Sequence, residues 1–262
     1  MGEFAAEHFD RSMRRLAGSW QYCRRDFAPV LQRLIREGLL REEGPSEKVW
    51  ETKNRFVLKV SLGEGRFAAY KRYRKISRPR KFMLRPSPCG FEAFNYQFLK
   101  DLGIPLPGLL AAGDTREHFR LRTAFIMTEF AEGFRDGRDF VPGGVLAEEK
   151  ELRGEFIRRN FRFLARCHDA GMVHRGFNPA NLLFKVREAP DEAGSRLDLL
   201  WIDVASCRRR PQFLINFLIC NDFRMFFRFF GFTAEEKKEI LADYCQARRN
   251  GPPRLESLLR RV

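Results

Sequence analysis

Met172-Val173-His174-Arg175-Gly176-Phe177-Asn178-Pro179-Ala180-Asn181-Leu182-Leu183-Phe184 is the stretch on which the fold turns. A helix precedes it, because Ile157, Phe161, Leu164 and His168 recur at helical spacing and Gly171 supplies a C-cap. An apolar strand, Leu182 to Val186, follows it. Between the two lies a short polar loop with Asn181 at its end and the side-chain-free Gly176 in its middle. Leu197 to Val204 reads as the strand that pairs with Leu182 to Val186 around a polar turn. Asp203 emerges from it after four consecutive apolar residues, Leu199 to Ile202.

Upstream, residues from about Phe4 to Leu40 read as helical and strongly basic, with Leu31, Leu34, Ile35 and Leu39 on one face. Gly44-Pro45-Ser46 breaks that pattern. Three strands follow: Lys48 to Thr52, Phe56 to Val60 and Phe67 to Tyr73. A basic segment, Arg72 to Arg85, leads into a helix near Phe91 to Leu102, and two more strands lie around Leu109 to Gly113 and Ala124 to Glu129. Glu132 to Gly144 is a glycine-rich linker. Downstream of the quoted loop, helices occupy Phe213 to Phe230 and Ala234 to Arg248.

Several charged residues stand where a charge needs a reason. Lys71 sits inside the apolar run Phe67 to Tyr73; its plain reading is a solvated strand lysine. Glu92 is the acid at the start of the Phe-rich helix, where a helix dipole alone favours one. Asp203 reads either as a turn-capping residue or, with Asn181 upstream, as half of a metal site. Gly63 and Gly65 belong to the turn before the Lys71 strand. The turn between the first two strands, Lys53-Asn54-Arg55, contains no glycine.

The bulk numbers fit a chain with a sizeable core. Of its 262 residues 44% are hydrophobic and 27 are Phe. The net charge of +15 calls for an anionic partner, whether nucleic acid, phospholipid headgroups or a phosphorylated substrate. The six cysteines form no C-x-x-C pair, so reduced cytosolic thiols are the default. No apolar run is long enough to serve as a signal peptide or to span a bilayer.

Together these pieces resemble the protein-kinase-like superfamily, whose catalytic loop reads H-R-D-x-x-x-x-N. Within it the chain looks most like the lipopolysaccharide core kinases that phosphorylate Kdo or heptose sugars. Ala-Ala-Tyr-Lys-Arg-Tyr-Arg around Lys71, Glu92 to Asp114, the hinge-like stretch from Ile126 and Cys167 to Arg175 with Asn181 and Asp203 carry the likeness. It implies an α+β, two-lobe fold with a small antiparallel N-lobe sheet, one main N-lobe helix and a mostly helical C-lobe. The boundaries expected are 1–46 for a basic N-terminal helical extension, 47–130 for the N-lobe and 131–262 for the C-lobe. The resemblance assigns Lys71, Glu92, Lys53, Arg55 and Glu129 to ATP, Asn181 and Asp203 to Mg2+, and His174 with Asn181 to the catalytic loop. It also implies a cytoplasmic location, peripheral on the inner membrane, with an anionic glycolipid or membrane surface as partner.

Gly176 occupies the slot of the proton-accepting Asp. Asn178 cannot take a proton, and Asp169 ends the preceding helix. Three functions therefore stay open: a sugar kinase slowed by Gly176, a nucleotide-binding pseudokinase or scaffold in envelope biogenesis, and a basic protein that binds anionic lipid or RNA. No recognised nucleic-acid module accompanies the basic residues.

Overall fold

The computed structural model describes residues 20–74, 82, 86–118, 120–192, 194–251 and 253–262. The chain divides into two compact units, Met1–Phe98 with Pro107–Glu132 and Leu99–Leu106 with Gly133–Val262. The first contains β1 (Trp20–Cys23), α1 (Ala28–Arg36), β2 (Glu47–Thr52), β3 (Arg55–Gly63), β4 (Arg66–Tyr73), β5 (Leu109–Glu117) and β6 (Arg120–Glu129). Its six strands form one sheet in the order β1-β5-β6-β4-β3-β2. Every pairing is antiparallel. Residues of α2 (Pro88–Asp101) up to Phe98 also belong to this unit.

Strand alternation decides which face of the sheet each side chain joins. Phe56, Leu58 and Val60 of β3 and Ala68 and Tyr70 of β4 are buried with Phe27, Leu31 and Leu34 around α1. Lys71 follows Tyr70 and therefore points to the other face. β1 corrects the helix expected over Phe4 to Leu40. Trp20–Cys23 pairs with Ala111 to Asp114 on the edge of the sheet. A 3-10 turn, Arg25–Phe27, separates it from α1, which has Pro29 near its start, where a missing N–H does no harm. The part of that expected helix before residue 20, and residues 75–81 and 83–85 of the expected basic segment, lie outside the described residues.

The second unit holds β7 (Arg135–Asp136), α3 (Lys150–Asp169), β8 (Met172–Val173), β9 (Leu182–Val186), β10 (Leu197–Trp201) and β11 (Arg208–Arg209). It ends in α4 (Gln212–Phe230), α5 (Ala234–Ala247) and α6 (Leu255–Leu259). Two small sheets, β10-β9-β7 and β11-β8, accompany these helices. The core is phenylalanine-rich: Phe177, from the quoted loop, stacks on Phe226 at 5.1 Å, and Phe161 meets Phe226 edge-on at 5.2 Å. Thr233 and Glu236 form a capping box that fixes the start of α5. The α+β class agrees with expectation. The strand expected to reach Val204 stops at Trp201, because Asp203 adopts φ 52°, ψ 48°, a left-handed conformation no strand can contain.

Candidate active site

In the first unit, the turn into α2 sets the phase of its acid. The Ser87 hydroxyl accepts a hydrogen bond from the Gly90 N–H at 3.0 Å and so caps the helix N-terminus. Cys89, Ala93, Tyr96 and Leu99 form the helix's buried face. Glu92 lies beside that face, buried, and accepts from the Lys71 ammonium at 3.1 Å on Oε1 and 2.9 Å on Oε2. Lys71 is itself pinned by register between Val57 of β3 and Ile126 of β6. The side chains are 12% and 4% exposed, so the pair is withdrawn from water and its mutual attraction is little screened. Solvated strand lysines do not look like this.

In the second unit, Gly171 lets α3 end and the chain reverse. Its φ is +74°, and a Cβ there would lie 2.8 Å from the Arg210 carbonyl. Met172 and Val173 then pair with β11. Asp222 on α4 holds the next turn: its Oδ2 accepts from the His174 N–H at 2.8 Å and its Oδ1 from the Arg175 N–H at 2.6 Å. Arg175 bends the chain at φ 60°. The Gly176 N–H donates to His174 Nδ1 at 3.2 Å, and the Gly176 carbonyl accepts from the side-chain amides of Asn178 (2.9 Å) and Asn181 (3.0 Å).

The β9–β10 hairpin brings Asn181 and Asp203, the two residues expected at a metal, to one end. Leu182 is registered opposite Trp201, and the Ile202 N–H donates to the Asn181 carbonyl at 2.9 Å. Asn181 and Asp203 therefore flank the same end of one hairpin. The Asn181 amide nitrogen is committed to Gly176, so its side-chain oxygen is the donor it could offer a cation. One amide oxygen and one carboxylate are hard donors of the kind Mg2+ uses when substrate phosphates and water complete its shell. Among the described residues no group of three or more His, Cys, Asp or Glu could hold a metal ion of any kind, so Asn181 and Asp203 suit only a cation that keeps phosphate and water ligands. The residues present fit Mg2+.

Asp222 is the residue that sequence reasoning missed. It anchors a buried chain of hydrogen bonds whose protons have one consistent arrangement. The Arg248 guanidinium donates to the Tyr244 hydroxyl at 2.7 Å, and that hydroxyl meets His168 Nδ1 at 2.7 Å. His168 Nε2 lies 3.2 Å from Asp222 Oδ2. Burial pushes the His168 imidazole below its ordinary pKa and outweighs the pull of Asp222, so the ring is neutral. Neutral His168 then accepts from Tyr244 and donates to Asp222. Burial alone would raise the Asp222 carboxyl, but the hydrogen bonds it accepts from the His168 ring and the His174 N–H hold it below the usual range, ionised. His174 is likewise lowered, chiefly by burial. The only signal for Asp222 was an acid among the apolar residues of F-L-I-C-N-D-F-R, and α4's phase had to be known before it meant anything.

Gly176 is not required by its backbone, since its φ lies outside the left-handed region. Space decides it instead. A Cβ at residue 176 would lie 2.7 Å from the Ser206 hydroxyl, which donates to the His174 carbonyl at 2.8 Å. Ser206 thus fills the start of the path an Asp side chain would take. Asp169, the nearest acid by sequence, accepts from the Arg248 guanidinium at 2.6 Å and from the N–H groups of Arg249 and Asn250. It is a structural cap. Of the other expected site residues, Lys53 is exposed in the β2–β3 turn and the Arg55 guanidinium stacks on Trp50 at 4.9 Å. The Glu129 carboxylate accepts from the Gly108 N–H at 3.2 Å and pairs with Arg24 at 3.4 Å.

Residues 72–244 match the model of the lipopolysaccharide kinase (Kdo/WaaP) family. Glu92, His174, Asn181, Asp203 and Asp222 fall within that span, and Lys71 lies one residue before it. A solved structure, that of WaaP in complex with acyl carrier protein, is similar in fold, with a TM-score of 0.64 at 18% identity over 92% of each chain. No curated protein matches the chain at a significant level.

Proposed function

Because the chain belongs to the lipopolysaccharide kinase (Kdo/WaaP) family, we propose that it transfers the γ-phosphoryl group of ATP to a sugar hydroxyl of the lipopolysaccharide inner core, slowly, at the cytoplasmic face of the inner membrane. The observation that carries this reading is the survival of both charge-handling pairs, the buried Lys71–Glu92 ion pair and the Asn181–Asp203 hairpin end. Lys71, fixed by Glu92, binds and orients the phosphates. Asn181 and Asp203 hold Mg2+, which neutralises charge on the phosphate oxygens when bound. His174, Asp222 and the Gly176 carbonyl hold the loop that presents Asn181.

Among the described residues of the loop and its neighbours no side chain is placed to accept the hydroxyl proton, so in the proposed transfer the proton leaves to water or to the transferred phosphoryl oxygens. The Gly176 carbonyl already accepts two amide hydrogen bonds, and Asp169 and Asp222 are occupied by their own partners. General-base loss reduces a rate by roughly 10²–10⁴-fold. Positioning and electrostatics carry most of phosphoryl transfer, and the residues proposed for them, Lys71, Glu92, Asn181 and Asp203, are all present in the chain. Turnover is slow but present.

One observation favours a second reading, a nucleotide-binding pseudokinase acting as a scaffold in envelope biogenesis: the Ser206 hydroxyl stands where the base's side chain would begin. A third, a basic protein that binds anionic lipid or RNA without nucleotide, rests on charge alone. Thermal stabilisation by ATP and Mg2+ that is lost in Lys71→Met excludes the third. Transfer to core oligosaccharide by the native chain, abolished in Asp203→Ala, excludes the second. Transfer seen only in Gly176→Asp/Ser206→Ala excludes the first.

A further inference from the structure

Helix α4 is apolar on two sides. Its inner side buries Ile215, Ile219, Phe223, Phe226, Phe227 and Phe230. On the opposite side of its first half, Phe213 and Phe217 stand one turn apart at 75% and 70% exposure, with Leu214 and Leu218 alongside at 37% and 38%. An exposed Phe/Leu patch of this kind on a surface helix marks something it meets. Along α4 and the segment before it, the exposed charges that flank the patch are of one sign. Arg210 precedes the patch, and Arg224 and Arg228 follow it, all exposed. The Arg261 guanidinium lies 5.7 Å from the Phe217 ring and donates to the carbonyls of Asn216 and Phe217. From Arg208 to Arg228 the only acid is Asp222, and it is buried against the loop.

We propose that the Phe213–Leu218 face of α4 is a membrane-docking surface, which inserts its apolar side chains among the headgroups of an anionic bilayer while the flanking arginines engage lipid phosphates. This deepens the reading above by naming the surface through which the chain reaches a lipid-linked acceptor, and it rests on that reading for the substrate. Charge complementarity selects the occupant. Rings between rows of arginine suit an interface that is apolar below and anionic above. A second copy of the chain docked by two-fold symmetry would instead bring arginine rim against arginine rim. No helix among the described residues is long and apolar enough to cross a membrane, so contact through this face is interfacial.

Flotation of the full chain with vesicles of phosphatidylethanolamine and phosphatidylglycerol, against phosphatidylcholine alone and without nucleotide, tests the assignment. The native chain floats with the anionic vesicles and stays behind with the neutral ones. Phe213→Ser/Phe217→Ser weakens partitioning about tenfold or more while the thermal midpoint holds, because both side chains are already exposed. Arg210→Gln/Arg224→Gln weakens it about fivefold per arginine and flattens its salt dependence. A native chain that does not float, a Phe variant that floats like the native chain, or a patch-dependent dimer in sedimentation overturns the proposal. ATP stabilisation measured on the same variants keeps the two readings apart: flotation without an ATP shift supports this surface and refutes the nucleotide reading.

Discussion

Gly176 and Ser206 are predicted to be energetically coupled, and a double-mutant cycle measures by how much. Gly176→Ala adds a Cβ 2.7 Å from the Ser206 hydroxyl, closer than real Cβ contacts come, so Ser206 must turn away. Turning breaks its 2.8 Å hydrogen bond to the His174 carbonyl, a loss of about 1 kcal/mol. Against that, Gly176 has no need of a left-handed φ, so replacing it stabilises by about 0.4–1 kcal/mol through the unfolded chain. The single variant therefore unfolds at nearly the native denaturant concentration. Ser206→Ala alone loses the same hydrogen bond and costs about 1 kcal/mol. The double variant loses that bond once and keeps the glycine gain. Its stability should exceed the sum of the singles by about 1 kcal/mol, within a range of 0.5–1.5 kcal/mol. Urea unfolding of the four proteins gives the number. Additivity to within about 0.3 kcal/mol would refute the idea that Ser206 occupies the side-chain path at residue 176.

Three further outcomes follow from the buried groups. Asp222→Ala strands the His174 and Arg175 N–H donors and removes the His168 acceptor, so urea unfolding should show a loss of about 3 kcal/mol or more; a loss under 1 kcal/mol would mean the loop is anchored elsewhere. Lys71→Met removes the cation from which both Glu92 carboxylate oxygens accept, which should cost about 1.5–3 kcal/mol and abolish thermal stabilisation by ATP; Lys71→Met/Glu92→Leu should recover stability but not the ATP response. His168 and His174 have folded pKa values below their unfolded ones, so as pH falls below about 6.5 the unfolded chain takes up protons that the folded chain refuses. Stability should then drop by up to about 1.4 kcal/mol per pH unit for each histidine, and these two histidines should contribute no slope between about pH 7 and 8, where they are neutral in both states. A urea midpoint that stays constant or rises between pH 7 and 5.5 would contradict that sign.

The two charge-handling pairs were legible because their elements are local. Lys71 and Asp203 each stand out against an apolar run, and Glu92 sits one Ser-capped turn into a helix whose buried face repeats at helical spacing. The hairpin that joins Asn181 to Asp203 could be read from two apolar runs around a polar turn. What the sequence hid was of two kinds. β1 was hidden because Trp20–Cys23 is four residues long, and its strand identity comes from β5, nearly a hundred residues away. Asp222 and Ser206 were hidden because their meaning is tertiary. One becomes an anchor when α4 packs under the loop, and the other matters when the turn after Asp203 folds back on Gly176. The contacts of Glu129 were hidden in the same way, since its carboxylate meets the Gly108 N–H and Arg24 only once the sheet has formed.

Slow phosphoryl transfer with intact nucleotide and metal ligands is the central claim, and one measurement addresses it: transfer of labelled phosphate from ATP to lipopolysaccharide core by the native chain, Asp203→Ala and Gly176→Asp/Ser206→Ala, side by side. The native chain should turn over measurably, Asp203→Ala should fall to background, and the double variant should exceed the native rate by roughly 10²–10⁴-fold. A native rate indistinguishable from that of Asp203→Ala would contradict it.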